Sequence, residues 1–375
     1  MVDQILLGFE VGSGEEVYVP EKHVVVTGAT GDSGKTTTLE AIASRSEKAF
    51  LVFLTKPDEK EFGGYIELRP FYSERTDWKY YASIFEASLH EKMKWERSWI
   101  IKATHGPVHQ PAKSLREFWE NIKKLLKDSR QDSQREAAYL NLNEYLKEIV
   151  PEIEGYDFAL TFPELKGGRT YVMDLREMSE EVQGMIIASC LEWIQRHERN
   201  INVCIPEAWK FLPQERGSPI KHAAQLFIRQ GATKGNRTLL DSQDITGMEK
   251  AVLKQVTVWI MGLQMEENEA KKTLKQVPLP PSMKPKPHEV QTLVLGQFYV
   301  ATPSMVKKVF VWPWWAEKED AKKVAMGELD VTELEHKVET VLEFKETYPE
   351  EKRSVSEHLL AYYSELERRV EVLEA

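Results

Sequence analysis

Cysteine is nearly missing from this chain: 375 residues hold two, Cys190 and Cys204, both in apolar stretches. Two thiols cannot staple a disulfide scaffold, and such sparse usage fits a reducing cytoplasm. No apolar run approaches the ~18 residues of a membrane-spanning helix, so no membrane association is expected. The opening Met1-Val2-Asp3-Gln4 lacks the basic stretch of a secretory signal. Positive charge is not in excess: 50 Lys+Arg stand against 60 Asp+Glu, a formal net charge of -10. That balance argues against a protein that coats nucleic acid over its whole surface, though a local basic groove or pore is compatible with it. The nine histidines show no metal-ligand spacing, and two separate cysteines make no zinc site. No Ser-His-Asp set, no paired carboxylates and no internal repeat stand out.

What is present is an ordinary globular balance, 42% hydrophobic and 29% charged, with enough length for one large domain or two smaller ones. His23 to Thr27 is a β-branched run that ends in the glycine-rich stretch Gly28 to Gly34. A helix is expected from Lys35 to about Ser46, and Phe50 to Leu54 reads as a buried second strand. Strand, loop, helix and strand open a parallel α/β sheet. The pattern resumes with strands at Thr170–Leu175, Ile201–Ile205, Arg237–Ser242 and Val256–Leu263, and with helices to about His197 (capped by Ser179) and from His222 to Gln230. Val290–Ala301 and Val306–Trp312 read as a hairpin. Pro278 to Pro287 reads as a linker or surface loop.

The organisation expected is therefore a core made of residues 1–64 and 169–316, a helical insertion over 65–168 and a charged helical tail over 317–375. In the insertion, Trp78, Trp95, Trp99, Phe118, Trp119, Tyr139 and Tyr145 recur at helical spacing and are expected to form its core rather than platforms for bases. Trp312, Trp314 and Trp315 are expected to pack the hairpin onto the tail.

Chemistry concentrates in Thr27-Gly28-Ala29-Thr30-Gly31-Asp32-Ser33-Gly34-Lys35-Thr36. Such a loop between a buried strand and a helix turns backbone N–H groups and a helix N-terminus toward an anion. Lys35 would reach the β- and γ-phosphates and the Thr36 hydroxyl would ligate Mg²⁺. The spacing departs from the strict pattern: Ala29 stands where glycine is usual, or else Asp32 is an extra residue. An acidic Asp32 beside a triphosphate must point away. The second candidate is Glu207, just after the Ile201–Ile205 strand, placed to orient or deprotonate water. The residue before it is Pro206, which offers no oxygen to a metal's water shell. The third is Gln243, at the tip of a strand beside the phosphate strand, where a polar group can sense the γ-phosphate.

In order, these motifs are the phosphate loop, Val-Met-Asp-Leu, a strand ending in Glu-Ala, Arg-Gln-Gly-Ala-Thr-Lys-Gly, Ser-Gln, and Leu-Gly-Gln-Phe-Tyr-Val. The set resembles the HerA–FtsK superfamily of RecA-like ATPases, from about Val17 to Trp315. The resemblance implies a RecA-like P-loop NTPase with a mainly parallel central sheet, an all-α insertion and a helical tail. It implies nucleotide contacts along Gly31, Asp32, Ser33, Gly34, Lys35, Thr36 and Thr37, with ATP and Mg²⁺ as cofactors. It implies water activation by Glu207 and γ-phosphate sensing by Gln243. It further implies a hexameric ring acting on double-stranded DNA, with a nuclease or other protein as partner, and an arginine acting on the neighbouring subunit's nucleotide. Ala232 holds the usual arginine position, so Arg229 is the candidate, with Arg237 nearby. Lys221, His222, Arg229, Lys234 and Arg237 form a basic segment that could face DNA or simply be solvated. Three functions follow: an ATPase that moves or remodels DNA, a nucleotide-binding module with little turnover that serves as an ATP-responsive assembly factor, and a small-molecule kinase. The first is favoured. The kinase lacks an acceptor site.

Overall fold

The computed structural model describes residues 4–29, 33–56, 65–73, 81–82, 96–105, 112–129, 133–214, 218–334 and 346–347. Among the described residues, twelve strands form one sheet. They are β1 (Gln4–Glu10), β2 (Glu16–Pro20), β3 (Val24–Thr27), β4 (Ala49–Leu54), β5 (Tyr65–Leu68), β6 (Thr170–Asp174), β7 (Ile201–Ile205), β8 (Arg237–Ser242), β9 (Val258–Met261), β10 (Gln297–Thr302), β11 (Met305–Val311) and β12 (Glu346–Thr347). Their order across the sheet is β12-β5-β6-β4-β7-β8-β3-β9-β10-β11-β1-β2. From β12 to β9 every neighbouring pair is parallel; from β9 to β2 every pair is antiparallel.

Parallel strands covered on both faces need continuous apolar runs. β3, β4 and β7 are buried at every residue. Their alternate side chains build two cores. On one face, Val24 and Val26 pack with Leu39, Ala41 and Ile42 of helix α1 (Lys35–Ala43). On the other, Val25, Val203, Ile205 and Leu240 join Met185, Ile186 and Leu191 of the Glu180–His197 helix and Ala224 and Phe227 of the Pro219–Gln230 helix. Each fully buried Val, Ile or Leu contributes about 2 kcal/mol. Among the described residues no helix is long and apolar enough to cross a membrane.

β1, β2, β5 and β10 depart from the sequence reading. β1 and β2 form a hairpin at the antiparallel edge, where Ile5, Leu7, Phe9, Val17 and Val19 are buried. The Gly12-Ser13-Gly14 turn joins them, and in β1 the run Ile5-Leu6-Leu7 blurs the alternation that would mark a half-buried strand. β5 is a sheet strand inside the stretch expected to be helical; with four residues and only its ends buried, it carries too weak a pattern. β10 begins at Gln297 rather than Val290, because Pro287–Gln291 is helical and Gly296 turns at φ 79°.

Helices fill Glu96–His105, Leu115–Asp128 and Ser133–Gly155. Phe118 and Tyr139 are buried in the shared core, and Trp99, Trp119 and Tyr145 pack against it. Trp78 and Trp95 lie outside the described residues. Trp119 donates its indole N–H to Asn143 at 3.0 Å and lies under Lys123, so it is built into the packing. At the other end of the sheet, Trp312 and Trp315 pack against Phe9, Phe310 and Ala321, and Arg45 stacks over Trp312 at 3.9 Å. The tail is helical over Lys318–Met326 and stops at Gly327 with φ 77°. Within the stretch expected to be a helical tail, Glu346–Thr347 is instead a strand, β12, paired with β5, and residues 335–345 and 348–375 fall outside the described residues.

The edge at which the parallel strands begin is closed by buried polar groups. Asn202 donates to Glu21 at 2.9 Å and to Ser46 at 3.0 Å, and Lys48 pairs with Glu21 at 2.6 Å. Beside them, the Thr238 backbone N–H donates to His23 Nδ1 at 3.1 Å, so the neutral ring carries its proton on Nε2. Burial, helped by the Arg237 charge, pushes the His23 pKa down from 6.5 to about 4. A group whose folded pKa is depressed below its unfolded value binds its proton mainly in the unfolded chain. Stability should therefore fall as pH drops from about 6.5 toward 4, by about 3 kcal/mol at the lower end. Melting curves between these limits should flatten in His23→Asn, whose amide oxygen can accept the same N–H. An unchanged slope would mean that other groups control acid stability.

Candidate active site

With one edge closed, the other edge, where β3, β7 and β8 end, carries the candidate groups. β8 lies between β3 and β7, so residues after all three strands share one edge. β3 delivers Thr27 to the phosphate loop. The loop base is tied to the end of β9: Gly262 N–H donates to Thr27 O at 2.7 Å, Ala29 N–H to Leu263 O at 2.7 Å, and the Gln264 amide to the Thr27 hydroxyl at 3.2 Å. Gly34 caps α1 with φ 77°, a left-handed turn that a Cβ would strain. Ser33 is buried and its hydroxyl donates to Ala29 O at 2.7 Å. Thr36 and Thr37 are half-buried in the first turn of α1. Gly31 and Asp32 lie outside the described residues.

Lys35 is 8% exposed. Its ammonium donates to Gly28 O at 3.0 Å and to Ala29 O at 3.1 Å, so the loop's own carbonyls hold it across the loop mouth. Burial lowers its pKa; the Asp241 and Glu207 carboxylates work in the opposite direction, and the Lys56 charge adds to the lowering.

Glu207 is 1% exposed and has φ 44°; apart from Asn200 it is the only non-glycine with positive φ among the described residues. Such a conformation costs about 1–3 kcal/mol and marks a position held by its surroundings. Pro206 ends β7 without needing a ladder N–H, and the turn after it swings Glu207 toward β8. There Gln243 donates to Glu207 Oε1 at 3.1 Å and Oε2 at 3.3 Å. The Trp209 indole donates to Oε2 at 2.5 Å. Lys56, just beyond β4, forms an ion pair with Oε1. Burial alone would raise the pKa of this carboxyl. The bonds from Lys56, Gln243 and Trp209 outweigh burial and hold it below the usual range, so it is a carboxylate at neutral pH.

Lys35, Glu207 and Gln243 thus come together at one edge. Arg229 does not: it is exposed near the end of its helix, at the opposite edge, where β8 begins. The rest of the basic segment is largely engaged within the chain. Lys221 pairs with Glu249 at 2.6 Å, Lys234 donates to Gln195 O and Arg196 O, and Arg237 donates to the carbonyls of Glu21, Ala232 and Asn236. His222 and Arg229 remain exposed. Lys56, Trp209 and Gln264 went unrecognised in the sequence. Lys56 had one signal, a lysine directly after a buried strand that ends at the phosphate edge.

Removal of Lys56 gives a further expected result. In Lys56→Met, burial acts on Glu207 with one fewer opposing charge, so its pKa rises. For any reaction that needs Glu207 ionised, the acidic limb of the rate–pH profile should move to higher pH. A profile that does not move would mean that Lys56 does not tune this carboxylate.

A parallel sheet with the phosphate-loop strand one strand removed from the strand carrying the acidic residue defines a RecA-like P-loop NTPase fold. Among solved structures, the chain is similar to VirB4 of Thermoanaerobacter pseudethanolicus, with TM-score 0.61 and 13% identity over 82% of this chain and 96% of that one. It is similar to the plasmid coupling protein TrwB in complex with ADP and Mg²⁺, with TM-score 0.56 and 12% identity over 86% of this chain and 97% of that one. A sulphate-bound form of TrwB aligns at TM-score 0.57 and 13% identity, over 83% and 95% of the two chains. At these identities the likeness is one of fold. No family model matches the sequence, and no curated protein matches it.

Proposed function

We propose that this chain is a Mg²⁺-dependent ATPase of the HerA–FtsK type that couples ATP to movement or remodelling of double-stranded DNA as a ring. The observation that carries the catalytic half is the buried Glu207 carboxylate bonded to Gln243, at the same edge as the Lys35 loop. In this reading Lys35, Gly34, Ser33, Thr36 and Thr37 hold the phosphates, together with Gly31 and Asp32. The Thr36 hydroxyl would hold the metal. Mg²⁺, when bound, would neutralise phosphate charge during transfer. Glu207 orients the attacking water and takes its proton, and Gln243 links Glu207 to the γ-phosphate position. The fold likeness to TrwB, solved with an ATP analogue and with ADP and Mg²⁺, supports nucleotide and metal.

The DNA half leans on the likeness to a coupling protein, since little of the basic segment is exposed. Arg229 is the candidate for action on a neighbour's nucleotide; such a residue must sit away from its own loop, as it does. A second reading rests on Pro206: a nucleotide-binding module with little hydrolysis, in which ATP governs assembly. Phosphate release from ATP with Mg²⁺, with and without duplex DNA, separates the two when Lys35→Ala serves as blank. DNA-stimulated, Lys35-dependent release supports the motor. Binding without release supports the module, and neither binding nor release rejects both.

A further inference from the structure

The strand between β3 and β7 carries a carboxylate at the level where β7 has none. The register pairs Ile205 of β7 with Leu240 of β8, which sets Pro206 beside Asp241. On its other side, Asp241 pairs with Val26, one residue before Thr27 and the loop. Side chains in register on parallel neighbours share a face. Cys204, Leu239, Val24 and Val26 all pack in the core that contains α1, so Asp241 stands on the α1 face, as does position 206. Asp241 is 6% exposed. Of the charged groups around Lys35, it exerts the strongest attraction. Lys35 does not depend on it for its place, because the Gly28 and Ala29 carbonyls hold the ammonium.

Resting on the nucleotide-binding reading above, we propose that Asp241 is the acidic residue of the Mg²⁺ site, doing from β8 what Pro206 cannot do from β7. The donor set fits the ion. Mg²⁺ takes hard oxygen ligands, keeps several waters and needs only one or two carboxylates beside the substrate's phosphates. The Thr36 hydroxyl would be the protein's direct oxygen ligand, and the Asp241 carboxylate would hold the metal's waters. A buried carboxylate this close to the phosphates repels them when no metal is present. The same group therefore both demands the cation and orders it.

This predicts a metal dependence of binding that needs no turnover to read. The probe is a fluorescent methylanthraniloyl derivative of ADP, titrated into the full chain in MgCl₂ and in EDTA. In the parent, Mg²⁺ should tighten binding about tenfold or more, the usual reach of an outer-shell carboxylate. Asp241→Asn is isosteric. It should bring the ratio of the two affinities close to one while binding in EDTA stays equal or tightens, because a repulsive charge is gone. A lesion of folding would instead weaken binding in both conditions. In the double variant Pro206→Asp/Asp241→Asn the ratio should return. A parental ratio that survives in Asp241→Asn overturns the assignment, as does parallel weakening in both conditions. A parent that binds in EDTA but gains nothing from Mg²⁺ overturns the metal site and leaves the phosphate loop standing. No binding in either condition overturns both.

Discussion

Lys35→Ala is expected to abolish measurable nucleotide binding, and hydrolysis with it. The ammonium is buried at the loop mouth and is held by two carbonyls of the same loop. It is therefore pre-placed, and a phosphate entering the loop meets a positive charge that needs little further ordering. Truncating one partner of a buried, hydrogen-bonded charge pair costs about 2–5 kcal/mol, roughly 30-fold to several thousandfold in affinity. The variant also leaves the Gly28 and Ala29 carbonyls without this donor and the Asp241 and Glu207 charges less compensated, both of which repel an anion. Calorimetric titration with ATP and ADP reads the loss directly. The rise in melting temperature that ATP gives the parent should vanish in parallel, since only a ligand that binds the folded state stabilises it. Lys35→Arg keeps the charge with a different shape and should recover part of the affinity. Binding by Lys35→Ala within about threefold of the parent, a difference under 1 kcal/mol, would place the nucleotide elsewhere.

Much of this site was legible before the fold was known, for a physical reason. Phosphate binding by a strand–loop–helix unit is local: Thr27 to Thr36 contains its own glycines, cation and hydroxyl. Buried parallel strands are equally legible, because Val24–Val26 and Phe50–Leu54 must be apolar on both faces. What stayed hidden depends on strand order, which no local pattern states. Lys56 lies 151 positions before Glu207 in sequence, and they meet because β4 and β7 are neighbours. Asp241 was in view within Leu239-Leu240-Asp241-Ser242-Gln243, yet only the register against Pro206 gives it a role. The basic segment shows the converse. Its charges were legible, but most of them serve backbone carbonyls and Glu249, contacts set by how two helices and β8 meet.

Glu207→Gln should separate binding from chemistry. The substitution keeps the volume, so the turn at φ 44° and the packing against Trp209 need not change. Lys35, Thr36 and the loop are untouched, and ATP affinity should stay within a few fold. What disappears is the negative charge. Glutamine cannot take a proton from water, and its amide N–H₂ would face the Gln243 donor unless the side chain turns its oxygen that way. A positioned general base contributes about 10²–10⁴-fold, so single-turnover hydrolysis should fall by at least about a hundredfold. The loss should hold with and without DNA, because DNA can raise the rate only through a group able to accept the proton. The variant should then accumulate bound ATP where the parent accumulates ADP, a difference that quenched-flow analysis of bound nucleotide detects. Lys56 sharpens the assignment. In the parent its charge keeps Glu207 ionised, whereas in Glu207→Gln it has no carboxylate to neutralise. Adding Lys56→Met to Glu207→Gln should therefore leave the residual rate and its pH profile unchanged, while Lys56→Met alone moves the profile. If the two substitutions instead act independently on the rate, Lys56 works on the nucleotide itself, and Glu207 takes its water without that lysine's help.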